Sequence, residues 1–131
     1  MVRSILAVLA APLVWGLVQA LGGQAAMMAY PEAASATVFP VGFLVLSLVL
    51  SVVYSLVSGA VTGAIARNKP LVHGVWAGVV LLAVGIAVQV QYWNLMPLWY
   101  HIAFLALLVP MAVAGALWMG GRSAARAAAH Q

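Results

Sequence analysis

Residues 47 to 63 read SLVLSVVYSLVSGAVTG, with a small side chain at every fourth position: Ser47, Ser51, Ser55, Gly59 and Gly63. In a helix, residues four apart share a face but drift by about 40° per step, so these positions trace an oblique ridge. The rest of the stretch is almost wholly apolar, and its length suits a helix that crosses a bilayer. In lipid, helices associate through close contact rather than hydrophobicity, and a small-residue ridge lets a second backbone approach. Ser47, Ser51 and Ser55 either bond back to their own preceding turn or reach another helix. Together with Ser58 and Thr62 they also outline a hydrophilic track, although the spacing speaks for packing before permeation.

Outward from this stretch the whole chain has the same character. Of 131 residues, 67% are hydrophobic and 5% charged, and the mean hydropathy is +1.18. A water-soluble domain of this composition would lack the polar groups to cover its surface, which leaves a membrane protein. The five basic residues, Arg3, Arg67, Lys69, Arg122 and Arg126, are scattered and form no basic run, so a nucleic-acid partner is not expected. Cysteine is absent, which excludes disulfides, thiolate metal sites and cysteine nucleophiles.

Four apolar blocks long enough to span, about 4–26, 40–65, 71–91 and 98–119, are separated by YPEAASATVFP, RNKP and QYWNLMP. Pro40, Pro70 and Pro97 stand where helices begin, a place where a missing N–H costs nothing. Pro12 and Pro110 fall inside the first and fourth blocks, where each removes a backbone bond and should bend its helix. The first block resembles a secretory signal, with Arg3 ahead of it and GQA before Ala26. Its apolar stretch of about twenty residues exceeds the roughly 7–15 of a signal core, so it reads as a permanent span.

The expected fold is therefore all-α: one integral membrane domain, 1–131, built as an up-down four-helix bundle with a basic tail at 120–131. That tail either continues the last helix or lies along anionic headgroups. All five Lys and Arg fall on the side of the termini and the second loop, which makes both termini cytoplasmic by the positive-inside rule. Tyr30, Phe39, Tyr92, Trp93, Trp99 and Tyr100 gather on the far side as an aromatic belt, and Trp15 and Trp118 read as anchors or bundle contacts.

The third block opens HGVWAG, which provides a second ridge at Gly74 and Gly78. Gly59 and Gly63 stand as far before the RNKP turn as these stand after it. An antiparallel hairpin would place Gly63 level with Gly74 and Gly59 level with Gly78, so a tight pairing of the second and third helices is expected.

Polar groups collect toward the outer ends of the spans, where Gln19, Glu32, Gln89 and His101 make a candidate polar cup. Glu32 would be its only carboxylate and His101 its nearby titrating base. Gln24 and Gln91 lie at the interface, where polar residues need no special role, and Gln19 and Gln89 could simply bond each other. Met27, Met28 and Met96 share this side, but no tight Met or His spacing makes a copper site. His73 reads as a residue of the opposite interface and His130 as part of the tail. No paired carboxylates, nucleophile triad, phosphate loop or metal cluster is present, so no enzyme, cofactor or metal is expected.

MPLWYHIAFLALLVPMAVAGALW, together with VTGAIARNKPLVHGVWAG, resembles a recurrent type of small, Ala/Leu/Val-rich four-span bacterial inner-membrane protein. The resemblance implies a bacterial inner-membrane setting and no particular reaction or ligand. Small multidrug carriers are also compact four-span proteins, but the acidic residue they need in the first span is missing here, where Trp15, Gly16 and Gln19 stand. The leading functional expectation is a non-enzymatic protein that works by helix association, as a homo-oligomer or an accessory subunit of a membrane complex. The alternative is a solute or ion pathway entered through the cup.

Overall fold

In a computed structural model that describes residues Met1–Gln131, the chain forms four long helices. They are α1 (Val2–Ala29), α2 (Val41–Ala66), α3 (Pro70–Gln91) and α4 (Leu98–Ala129), each long and apolar enough to cross a membrane. Short 3-10 turns, Pro31–Ser35 and Trp93–Leu95, occupy the first and third connections. Pro70 is the first residue of its helix, whereas Pro40 and Pro97 cap theirs from just outside. Helices α1 and α4 continue through Pro12 and Pro110. At 1.5 Å per residue the 32 residues of α4 extend about 48 Å against a hydrocarbon core of about 30 Å. The 120–129 segment is thus the projecting end of the last helix.

The faces of α2 show how the sequence sorts its sides. Val41, Val45, Val49, Val53 and Val57 are all exposed, whereas Ser51, Ser55, Gly59 and Gly63 are buried. Leu9, Leu13, Leu17 and Leu21 form a comparable exposed stripe on α1. Large apolar side chains face outward, where lipid accepts them at no cost, and the small residues face inward, where backbones can close on one another.

The neighbour of the two glycine ridges is α4. A Cβ added to Gly59 would lie 2.0 Å from the Ala112 carbonyl oxygen, and one added to Gly63 would lie 2.4 Å from that of Ala116. Gly74 faces Ala116 and Val113, and Gly78 faces Val109. Gly115 of α4 returns the contact, set against the Leu56 carbonyl and the Ala60 nitrogen. The expected pairing of Gly59 with Gly78 and Gly63 with Gly74 is therefore corrected. The second and third helices do not close on each other, because α4 lies between their ridges, and Gly63 and Gly74 meet the same residue, Ala116. The physical reason lies in α4, where Ala112, Ala116 and Gly120 carry small side chains at the same four-residue spacing and offer a better-matched surface.

These contacts order the helices around the bundle as α1, α2, α4, α3. The single connection at one end, Arg67 to Lys69, reverses the chain within three residues by placing Arg67 (φ 60°) and Lys69 (φ 49°) at positive φ. That end also carries both chain termini and is called the basic end below. Arg3 Nε donates to the Ile65 carbonyl there at 2.5 Å, tying α1 to α2. At the opposite loop end, Phe39 N–H donates to the Leu95 carbonyl at 2.9 Å and links the first connection to the third.

Candidate functional site

The two halves of the bundle are filled differently. Toward the basic end the interior holds Ala7, Ala11, Gly59, Thr62, Gly63, Ala112 and Ala116, all small and all buried. Ser58 Oγ donates to the Ala11 carbonyl of α1 at 2.7 Å, the one serine bond in α2 that crosses to another helix. Ser51, Ser55 and Thr62 instead donate to carbonyls of their own helix, those of Leu48, Ser51 and Ser58. Such back-bonding satisfies a hydroxyl without needing a partner helix.

Toward the loop end the same helices are held apart by rings. Trp15 meets Tyr54 edge-on with centroids 6.4 Å apart and Phe104 at 6.2 Å, so this trio bridges α1, α2 and α4. Tyr100 stacks on Phe104 at 6.0 Å. Gly22 makes room for the Tyr54 ring on α1, since a Cβ there would lie within 1.7 Å of the tyrosine oxygen. A cavity of about 690 Å³ lies beyond these rings, lined from all four helices. Gln24, Met28, Pro31 and Tyr92 line it and are themselves exposed, so its mouth is at the loop end. Drug-sized ligands occupy cavities of roughly 300–1,000 Å³.

The serine and glycine ridge of α2 therefore divides. Ser47 and Ser51 border the cavity, whereas Gly59 and Gly63 are sealed against α4, with Ser55 buried between. Of the residues expected to form a polar cup, Gln19 and Gln89 are in the wall and are not bonded to each other. His101 stands behind the wall, 2% exposed, and its Nδ1–H donates to Gln89 Oε1 at 2.5 Å. Gln89 is equally buried, and the other end of its amide has no protein partner. Trp93 covers the histidine from outside, stacked at 4.4 Å with an angle of 11° between rings. Glu32 is corrected out of the cup. It lies exposed on the Pro31–Ser35 turn and takes no part in the lining, because the turn carries its side chain outward.

Sequence reasoning missed the aromatic floor. Trp15 is 4% exposed and Tyr54 5%, and the indole Nε1 of one and the hydroxyl of the other have neither a protein partner nor solvent contact. The cavity lining contains no Asp, Glu, Lys, Arg or His. Met27, Met28 and Met96 line it too, without His101, so the soft residues and the imidazole do not converge. At the basic end His73 Nδ1 lies 3.0 Å from the Lys69 carbonyl, and Arg122 covers the Trp118 ring at 4.5 Å, a cation–π contact suited to a membrane interface.

The chain matches no protein-family model, no curated protein and no solved structure. The class defined by fold and site is an all-α, multi-span membrane bundle with an uncharged, aromatic-floored cavity in one half. The chemistry of that cavity rests on the residues that line it.

Proposed function

We propose that this chain is a membrane-embedded binding protein, without catalytic chemistry of its own, that takes up a small ligand in the cup. The observation that carries the proposal is the roughly 690 Å³ cavity, walled by all four helices, open at the loop end and floored by Trp15, Tyr54 and Phe104. Because the five Lys and Arg belong to the basic end, the positive-inside rule directs the mouth away from the cytoplasm. The bacterial inner membrane is the setting that the four-span resemblance implies. An ion pathway is disfavoured, since no charged group lines the cup and the aromatic floor stands between it and the basic end.

Association as a homo-oligomer or accessory subunit becomes the second reading. Small-residue ridges and a scarcity of ionisable groups within the spans support it, but the glycine ridges lie against α4 of the same chain. Outside them, a shallow apolar groove of about 520 Å³ between α2 and α4, bordered by Val57, Ala64, Ala114 and Trp118, is a surface that lipid chains can cover.

Absence of cysteine makes the test direct. Ser47→Cys is expected to react with a membrane-impermeant thiol reagent added from outside, and Thr62→Cys to remain unlabelled from either side. A silent Ser47→Cys overturns the cup; labelling only from the cytoplasmic side overturns its orientation.

A further inference from the structure

We infer that the cup takes a neutral, lipid-soluble ring compound bearing a carbonyl oxygen, and that this oxygen is received by the unpartnered donors of the cavity floor. This rests on the cup being a binding site and names its ligand class. Three properties of the wall lead to it.

The first is charge. The lining contains no ionisable group of either sign except tyrosine hydroxyls, and Glu32 stays outside. A cation entering would shed its water with no carboxylate to offset the loss, and an anion would find no Arg or Lys. A neutral ligand avoids both costs.

The second is hydrogen-bond polarity. An indole N–H can only donate, and Trp15 Nε1–H has no acceptor. Tyr54 carries the other unsatisfied group, a hydroxyl set against Gly22 of α1, its ring edge-to-face with Trp15. Ser51 and Ser55 are held by bonds to their own helix, to the carbonyls of Leu48 and Ser51, and neither accepts from Trp15 or Tyr54. A group that satisfies the indole must bring an acceptor, and a carbonyl oxygen is one, with no proton of its own to place. Neither donor atom is open to solvent, so engagement requires the Trp15–Tyr54 pair to yield slightly, and no water competes for it.

The third is shape and route. Phe43, Tyr100 and Phe104 present ring faces and edges suited to a planar partner, while Met27, Met28 and Met96 supply adaptable apolar surface around the mouth. The mouth lies at the loop end beside Tyr92, in the interfacial zone where lipid-soluble ring compounds concentrate.

The full-length chain in lipid nanodiscs, titrated with menadione, tests this. 2-Methylnaphthalene is the same ring without carbonyls, and tetraphenylphosphonium is a lipophilic cation for comparison. The chain has no cysteine for the quinone to alkylate. Menadione is expected to bind saturably and to perturb tryptophan fluorescence, with each comparison compound about tenfold weaker or worse. Trp15→Phe and Tyr54→Phe are each expected to weaken menadione about fivefold to tenfold, and to weaken it severalfold more than they weaken 2-methylnaphthalene. Tyr54→Phe removes an unsatisfied buried hydroxyl, so its thermal stability should be retained or raised, which separates lost binding from lost folding. Equal binding of 2-methylnaphthalene or tetraphenylphosphonium, indifference to both substitutions, or no saturable menadione binding overturns the carbonyl assignment. The cup itself stands or falls separately, on the labelling of Ser47→Cys.

Discussion

Gly59 and Gly63 press against the backbone of α4, while Ser47 and Ser51, about two to four turns away on the same face of α2, border a cavity of about 690 Å³. One four-residue spacing thus serves opposite ends. At the basic half, small residues meet small residues, Gly59 on Ala112 and Gly63 on Ala116, and the backbones close. At the loop half, small residues face rings, and Trp15, Tyr54 and Phe104 hold α1 away from α2 and α4. A small-residue ridge permits close approach without commanding it; the residues opposite decide whether the space is filled by backbone or left to a ligand.

This contrast can be broken most severely at the seam. Gly59→Ala sets a methyl group against the Ala112 carbonyl, backbone on both sides, and should cost about 3 kcal/mol in reversible unfolding in a bilayer mimetic. Gly115→Ala, facing the Leu56 carbonyl, should behave alike, whereas Gly16→Ala, with open space around it, should cost nothing measurable.

Smaller effects sharpen the loop half and then the basic half. Gln89→Leu removes the partner of His101 Nδ1 in a buried site, leaving the ring only the 3.4 Å contact of Nε2 with the Trp93 carbonyl, and should cost about 2 kcal/mol; a double-mutant cycle with His101→Leu should recover part of that as coupling. Tyr54→Phe should gain about 1 kcal/mol by deleting an unsatisfied hydroxyl. Ser58→Ala, which removes the bond to Ala11 across the α1–α2 contact, should cost only about 0.6 kcal/mol, the average for interhelical bonds in membranes. A large loss at Ser58, or none at Gly59, would mean that polar bonds rather than backbone contact hold the basic half together.

The helices were legible because apolar blocks of spanning length are punctuated by prolines, and the ends differ by at most three residues from those read in the sequence, except that α4 runs on for ten residues past 119. The partner of the glycine ridges was not. Spacing states that a face is small, and chain order favoured the helix that follows, but Ala112, Ala116 and Gly120 make α4 equally small. Gln89 and His101 were readable as members of one polar cluster, because polar groups in a membrane seek each other, but the partner the sequence suggested for Gln89 was Gln19, and the bond goes to His101. The floor was hidden for the opposite reason. Trp15, Tyr54 and Phe104 are ordinary membrane residues by type, and only their convergence from three helices makes a wall. Glu32, the one carboxylate, drew attention by charge and lies outside.

The central claim is that one ridge closes the bundle at one end and lines a cavity at the other, and the unfolding free energies of Ser47→Leu and Gly59→Leu, measured side by side, test it most directly. Leucine at 47 should project into the cavity and leave stability within about 1 kcal/mol of the parent, while leucine at 59 should cost more than about 3 kcal/mol by driving α2 from α4. Equal losses at both positions, or tolerance at 59, would contradict the account.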